Sequence, residues 1–237
     1  SDIIPTQLAV MAGWEVLSKG TVNTTGIGDF MAIDLGGATT DIYSMSDGKT
    51  SMSNVLVKGL PEPFSKRTVE GDLGMRYSLG SLFEESDTEI IAKELGLGQS
   101  DIMAWVEKCI GNPGTIASCP DEYSIDGAFA HRAIELAVER HCGFMESSYT
   151  PLGEIFTLTG KDLSGISYII GIGGAIIHSD HPPNLLKGAL YNLQKPTILK
   201  PRQPEFLLDR KYILASMGLL SNIDSELALH FMKKEIV

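Results

Sequence analysis

The chain has 237 residues, of which 43% are apolar and 21% charged, and its formal net charge is −11. This composition is typical of a globular protein with a substantial core, while the acidic charge argues against binding to nucleic acid through its phosphates. No apolar run approaches the roughly 20 residues that span a bilayer, and the N-terminus lacks the order of a signal peptide. We therefore expect a cytoplasmic protein that acts on neither nucleic acid nor membrane.

The N-terminal part predicts a helix followed by three strands. Pro5 suits a first helical turn, and Gly20 ends that helix. Strands are predicted over residues 30–33 and 40–45, joined by a Gly-Gly turn, and a third within "SMSNVLVKGL" after the turn "SDGK". Three consecutive strands joined by short turns predict a β-meander.

The middle of the chain predicts helices. Residues 71–120 have helical spacing and are predicted to be a helical insertion, with Ser86 and Glu89 as a capping box and Gly96 at the end of one helix. The segment "SDIMAWVEKCIG" predicts a second short helix, and "IDGAFAHRAIELAVERHCGFM" predicts a long one.

The C-terminal part predicts one buried strand and further helices. The apolar run "ISYIIGIGG", residues 166–174, is typical of a strand covered on both faces. A helix is expected to begin near Asn184, Asp209 is a predicted N-cap for "RKYILASMGLLS", and "DSELALHFMKK" predicts a closing helix. Together with the meander, these elements predict a single α/β domain.

Two glycine turns carry the candidate chemistry. The first, "DLGGATTD", combines a carboxylate, glycines and threonine hydroxyls, which suit magnesium and phosphate oxygens, although an ordinary glycine hairpin has the same composition. The second, "GIGG", follows the buried strand, and ligands of open α/β sheets gather at such strand ends. It lacks the GxGxxG fingerprint. The pair favours a nucleotide site over a purely structural hairpin.

The order of "IIPTQLAVMA", "DLGGATTD", "GIGGAI" and "YILASMGLLS" resembles the second lobe of the actin, sugar-kinase and heat-shock-chaperone ATPase superfamily, a ribonuclease-H-like domain. The resemblance implies ATP and Mg²⁺ as cofactors, with Asp34 as the metal-associated residue. It assigns no catalytic base: Asp41 is the nearest second carboxylate, and it also suits capping of the hairpin. The implied phosphate residues are Gly36, Gly37, Ala38, Thr39 and Thr40, and the implied adenosine residues are Gly171, Gly173 and Gly174.

Four segments, "DLGGATTDIYS", "KRTVEGDLGMR", "IGIGGAIIHS" and "LLDRKYILASMGLL", are together similar to the MutL or GlmL family. These accessory proteins are associated with cobalamin-dependent glutamate mutase and ornithine aminomutase, and are unrelated to mismatch repair. The family implies an ATP-dependent chaperone or reactivating factor whose partner is a cobalamin-dependent mutase. The superfamily's first phosphate loop has no counterpart here, so residues 1–237 are expected to be a C-terminal lobe without its N-terminal lobe. We expect ATPase activity only at full length.

Alternatives stay open at this point. A hydantoinase-like or oxoprolinase-like enzyme that couples ATP to amide hydrolysis has a similar hairpin, and a filament-forming actin relative is a third candidate; "KRTVEGDLGMR" favours the accessory family. That segment is either a functional surface near the nucleotide or the mutase, or a solvated start of a helix. His178 and His181 lack the further ligands that a metal site needs.

Overall fold

The computed structural model describes residues 6–151 and 153–236. Its strands are β1 (Phe30–Leu35), β2 (Thr40–Met45), β3 (Val55–Lys58), β4 (Ser65–Glu70), β5 (Phe144–Thr150), β6 (Gly153–Thr159), β7 (Tyr168–Ile172) and β8 (Glu205–Leu208). Its helices are α1 (Thr6–Lys19), α2 (Leu79–Glu84), α3 (Thr88–Leu95), α4 (Gln99–Gly111), α5 (Pro120–His141), α6 (Gly174–Ile177), α7 (Pro182–Leu186), α8 (Leu214–Leu220) and α9 (Ser225–Glu235), with a 3-10 helix over Lys187–Ala189.

The chain forms a mixed α/β fold around a five-stranded sheet with the strand order β4-β2-β1-β7-β8. β2 is antiparallel to both β1 and β4, whereas β1, β7 and β8 are mutually parallel neighbours. A second sheet has the order β3-β6-β5, with β3 parallel and β5 antiparallel to β6. The α/β prediction is therefore confirmed.

Each face of the five-stranded sheet is covered by helices. Met31, Ile33 and Leu35 belong to the core that includes α5, whereas Phe30 and Ala32 belong to the core that includes residues of α1, α8 and α9. Because side chains alternate between the two faces of a strand, the next residue of the second set is Asp34. The carboxylate of Asp34 therefore belongs to the face covered by α1.

The predicted meander is wrong in its third strand. β3, the strand within "SMSNVLVKGL", pairs with β6 in the second sheet, and β4 is the actual neighbour of β2. β4 has the sequence SKRTVE, whose charges suggested solvent rather than sheet. Those charges are paired: Lys66 Nζ donates to the carbonyl of His141 at 2.9 Å, and Arg67 forms an ion pair with Asp41. Pairing lets a charged sequence form a strand beside a buried one.

The helix boundaries are partly as predicted. Gly20, with φ +85°, follows the end of α1, and Gly96, with φ +69°, caps α3, so both glycine stops are confirmed; Pro5 lies outside the described residues. The capping box at Ser86 and Glu89 is wrong. The N-cap is Asp87, whose carboxylate accepts the Ile90 N–H at 3.1 Å, because the Ser86 hydroxyl donates instead to the Leu82 carbonyl.

Residues 71–120 are helical, as predicted: α3 and α4 are the two helices that the sequence indicated, α2 is a further one, and their origin as an insertion stays a prediction. The helix expected near Asn184 begins earlier, since α6 follows the second glycine turn directly and α7 begins at Pro182. The polar strands β5 and β6 and the short strand β8 were not predicted. Within the described residues, no helix is both long enough and apolar enough to cross a membrane.

Candidate functional site

The two glycine turns lie side by side at the same edge of the sheet. β1 and β7 are parallel neighbours, and their register places Asp34 opposite Ile172. Gly173 follows with φ +86°, and a Cβ there would lie 2.5 Å from Asp34 Oδ1 and 2.7 Å from the Leu35 carbonyl oxygen. Only glycine allows this approach. The fold thus brings the backbone of the second turn against the predicted metal residue.

The first turn exposes a row of backbone N–H groups. The turn is closed by Gly36 N–H, which donates to the Thr39 carbonyl at 2.9 Å. The N–H groups of Gly37, Ala38 and Thr39 have no hydrogen-bond partner among the described residues. Gly37 and Ala38 are exposed and Thr39 is half-buried. Successive free N–H groups in a turn are suited to binding an anion such as phosphate.

Two glycines at this edge are not required by the fold. A Cβ on Gly37 would meet nothing closer than 3.9 Å, and one on Gly174 would meet only His178 Cδ2, at 3.7 Å. Neither glycine has a positive φ. Their missing side chains instead leave room for a ligand to approach the backbone closely.

A brace, residues 73–78, holds the first turn through backbone hydrogen bonds. Met75 N–H donates to the Gly36 carbonyl at 3.1 Å, and the N–H groups of Arg76 and Tyr77 both donate to the Gly37 carbonyl, at 2.8 and 2.9 Å. The carbonyl groups of the turn are therefore satisfied by the brace. The N–H groups of the turn remain available to a ligand.

The brace also contacts the turn through side chains and by close packing. The buried Thr40 hydroxyl donates to the Leu73 carbonyl at 2.6 Å, and the Ser78 hydroxyl lies 2.9 Å from the Ala38 carbonyl oxygen and 2.7 Å from that of Gly71. A Cβ on Gly74 would lie 2.3 Å from the carbonyl carbon of Ala38. The hydroxyl of Thr40 is thus committed to the fold, and its contact with phosphate stays a prediction.

Asp34 lies in a strongly charged environment. Burial and the charge of Asp41, its cross-strand partner, raise the pKa of Asp34, and the charge of Arg67 opposes that rise. Asp41 is only 8% exposed, and its Oδ2 accepts from Arg67 Nη2 at 2.6 Å. Asp41 therefore forms an ion pair with β4, a role that neither sequence interpretation included.

These residues fit a magnesium ion held mainly by phosphate and water. Mg²⁺ in proteins typically has one or two carboxylate ligands, with phosphate oxygens and waters completing its coordination. Asp34 supplies one half-buried carboxylate beside the free N–H groups of the first turn. Over residues 6–151 and 153–236, no group of three His, Cys, Asp or Glu residues is placed to hold a metal ion without such help.

Comparisons with known proteins identify the family. A family model described as "MutL protein" matches residues 1–236. Protein MutL of Clostridium tetanomorphum is 43% identical over 235 residues, which cover 99% of this chain and 51% of the relative. The chain belongs to the MutL family. The match is to the glutamate mutase-associated type, as the sequence motifs indicated, and the chain spans about half the length of the curated relative.

The segment "KRTVEGDLGMR" of this MutL chain contains β4 and the start of the brace. Arg76 forms a bidentate pair with Asp126, at 2.5 and 3.1 Å, and Arg140 Nη1 lies 2.7 Å from Glu70 and 2.8 Å from Asp72. The interpretation as a solvated helix start is wrong, because residues 66–70 lie in strand β4, and its charges are paired within the fold. Gly74 and Ser78 were not identified from the sequence as residues that support the first turn. The available signal was the concentration of charged residues and glycines in "KRTVEGDLGMR", which contains Gly74 and ends two residues before Ser78.

The glycines of the second turn of the MutL chain differ in their access to a ligand. Gly171 is buried, and a Cβ there would lie 2.8 Å from Ile176 Cγ2 and 3.0 Å from Leu208 Cδ2. Its absent side chain thus serves the packing of α6 on the sheet. Gly173 is half-buried and Gly174 is exposed, so a ligand at this edge would meet these two first. The three adenosine contacts stay predictions, of which Gly171 has the least access.

Proposed function

We propose that this chain is the nucleotide-binding lobe of an ATP-dependent reactivating factor for a cobalamin-dependent mutase, either glutamate mutase or an aminomutase. The observation that carries the proposal is the contact of the Gly173 backbone with Asp34, since it unites a phosphate-type turn and an adenosine-type turn at one edge of the sheet. The family match supports the accessory role over an ATP-coupled amidohydrolase.

The proposed fold is the ribonuclease-H-like lobe of the actin superfamily. It is supported by the antiparallel strands β2 and β4 on one side of β1 and the parallel strands β7 and β8 on the other, with helices on both faces. In such a sheet the ligand lies beyond the carboxyl ends of the parallel strands. Both glycine turns lie there.

Each residue of the site has a proposed task. ATP supplies the anionic phosphates and an adenosine group. The N–H groups of Gly37, Ala38 and Thr39 donate to phosphate oxygens, and Asp34 holds Mg²⁺ directly or through water. The open backbone at Gly174 accepts the flat adenosine group. Because Arg67 compensates the charge of Asp41, the carboxylate of Asp34 remains available at the proposed metal position.

The site is proposed to be half of a cleft. The chain covers 51% of the relative, which leaves room for a second lobe, and the two turns lie at the surface. We propose that an N-terminal lobe supplies the opposite wall and that residues 71–120 are an insertion in this one. The chain alone is then expected to bind ATP weakly and to hydrolyse it little. A submicromolar affinity for Mg-ATP in a calorimetric titration would contradict the need for a second lobe.

The function is tested by reactivation. Glutamate mutase and ornithine aminomutase, each inactivated with damaged cobalamin bound, are incubated with the full-length protein, Mg-ATP and fresh cofactor, and recovered activity is measured. We expect recovery of one mutase with ATP and little without it. Asp34→Asn should lose the recovery, whereas Asp47→Asn, a matched change at an exposed turn, should keep it. Absence of ATP-dependent recovery with both mutases would remove the proposal.

A further inference from the structure

Tyr212, in the loop between β8 and α8, has an unusual backbone conformation. Its φ is +54°, in the left-handed region that disfavours most residues with a side chain. Among the described residues, the other non-glycine residue with a positive φ is Asn54, a type that tolerates this region well. A tyrosine at such a position costs backbone energy that glycine or asparagine would avoid. Residues kept in this way are often functional.

The loop that carries Tyr212 is fixed to the end of β7. Asp209 N–H donates to the Gly171 carbonyl at 3.1 Å, and Tyr212 N–H donates to the Asp209 carbonyl at 3.2 Å. The buried carboxylate of Asp209 accepts the N–H groups of Ile213 and Leu214, at 2.9 and 3.0 Å. The position of Tyr212 relative to the second glycine turn is therefore set by hydrogen bonds.

The side chain of Tyr212 reaches the residue that follows α6. Tyr212 Oη lies 3.2 Å from His178 Nε2, and His178 Cδ2 is the atom that lies 3.7 Å from a Cβ placed on Gly174. Both rings are exposed, Tyr212 to 46%. The glycine that the fold does not require thus lies beside His178, which is hydrogen-bonded to Tyr212.

We propose that Tyr212 and His178 form the base-binding wall of the nucleotide site and select adenine over guanine. This inference rests on the proposed function and adds the residues that determine its specificity. The exposed face of one ring can stack on a base, while the polar atoms of the other ring bond to the edge of that base. The position of His178 beside Gly174 puts that surface where the adenosine group is expected.

The preference for adenine over guanine follows from the number of hydrogen-bond donors that the Tyr212–His178 pair has. A neutral imidazole has one N–H and a phenol has one O–H, and the bond between Tyr212 and His178 uses one of the two. The pair is left with one donor and a free oxygen or nitrogen acceptor. Adenine presents the N7 acceptor beside the N6 donor, whereas guanine presents two acceptors, N7 and O6. The pair therefore complements an adenine edge and leaves one guanine acceptor unsatisfied.

The test measures binding of Mg-ATP, Mg-GTP and inorganic tripolyphosphate to the full-length protein. Tyr212→Asn removes the ring and keeps a residue suited to positive φ. We expect an equal or higher thermal midpoint, an ATP affinity lower by roughly tenfold, and tripolyphosphate affinity within about twofold of the wild type. Tyr212→Phe keeps the ring, and should reduce the preference for ATP over GTP by roughly three- to tenfold. His178→Ala should lower ATP affinity as Tyr212→Asn does.

Tyr149→Asn is the matched control, because Tyr149 is 83% exposed on β5 in the second sheet, and it should leave all three affinities unchanged. The inference is overturned if Tyr212→Asn and His178→Ala bind ATP as tightly as the wild type, or if Tyr212→Phe keeps the full preference for ATP. If Gly37→Ala meanwhile loses affinity for ATP and tripolyphosphate alike, the proposed function stands without it. If the wild type binds neither Mg-ATP nor tripolyphosphate, the proposed function and this inference both fall.

Discussion

Arg67 Nη2 lies 2.6 Å from Asp41 Oδ2, and this ion pair joins β4 to β2 beside the predicted metal residue. Asp41 is the cross-strand partner of Asp34, so two carboxylates share one face of the sheet. Without the guanidinium, their repulsion would be uncompensated on the face covered by α1. Arg67 also lies over the ring of Tyr43, 5.5 Å from its centroid. The segment that looked like a solvated surface thus compensates the charge of the site.

Removing that compensation should destabilise the protein. Arg67→Met leaves the buried Asp41 carboxylate without its guanidinium, and we expect the free energy of unfolding to fall by about 1–3 kcal/mol. Urea denaturation at pH 7 measures the change. The double variant Arg67→Met/Asp41→Asn should lose less than the sum of the two single variants, because it removes both charges. Additive losses would show that the pair is not coupled.

Alanine substitution of Gly74 in the brace should lower stability, whereas alanine substitution of Gly37 in the first turn should lower affinity for Mg-ATP. Gly74→Ala places a Cβ 2.3 Å from the backbone of Ala38, so we expect a loss of about 1–3 kcal/mol in stability. Gly37→Ala meets open space, and its stability should change by less than about 0.5 kcal/mol. Its affinity for Mg-ATP should nevertheless fall roughly tenfold. Thermal unfolding and calorimetric titration of the same samples distinguish the two effects, and equal ATP affinity of Gly37→Ala and the wild type would contradict this role.

Asp34→Asn should raise the stability of the protein and weaken the effect of magnesium on ATP binding. The substitution keeps the shape of the side chain and removes a half-buried negative charge opposite Asp41. We expect the variant to unfold at a higher temperature than the wild type in magnesium-free buffer, since like-charge repulsion is relieved. The factor by which magnesium raises its ATP affinity should be smaller than in the wild type by about tenfold or more. A less stable variant that keeps its response to magnesium would refute both statements.

The protein should lose stability in mild acid because of His141. Burial, with the charges of Lys66 and Lys161, lowers the pKa of His141 from 6.5 to about 3. Between these values the unfolded chain binds a proton that the folded protein does not, so stability falls as pH falls below 6.5. The slope from this group alone is about 1.4 kcal/mol per pH unit well below that value.

His141→Gln tests this pH dependence. The imidazole lies 2.8 Å from both the Ser44 and the Thr68 hydroxyls, so the variant should be less stable at pH 7 by about 1–3 kcal/mol. Its stability should then change less than that of the wild type between pH 7 and pH 5. Urea denaturation at pH 5, 6 and 7 gives both curves. Parallel curves would assign the acid sensitivity to other groups.

The sequence predicted the elements whose signal is local. The glycine stops at Gly20 and Gly96, the strand β2, the long helix α5 and the two glycine turns all depend on a few neighbouring residues. β4 was missed because its charges find their partners on β2 and α5, far away in the chain. Strand pairing is likewise non-local, so the sequence placed β3 in the wrong sheet.

The candidate site divides in the same way. The two glycine turns together, with the family resemblance, pointed to Asp34 and the glycines after it, and those assignments stay predictions. The packing of Gly74 and the proposed role of Tyr212 could not be predicted, because one depends on a contact with Ala38 and the other on a backbone angle and a hydrogen bond to His178. Such contacts exist only when segments distant in sequence are brought together. The Thr40 hydroxyl is the converse case, since a residue with phosphate chemistry bonds to Leu73 instead.

The parallel pairing of β1 with β7 also sets a time order during synthesis. Phe30 pairs with Tyr168, so the ribosome must add roughly 140 residues after the first strand before its neighbour exists, which takes about 7–28 s at about 5–20 residues per second. During that interval β1 has β2 on one side and an unpaired edge on the other, which is the kind of edge that captures foreign strands. A nascent chain in this state has the first glycine turn and not yet the second. If the proposed function holds, nucleotide stabilises the protein only after translation has passed Gly174.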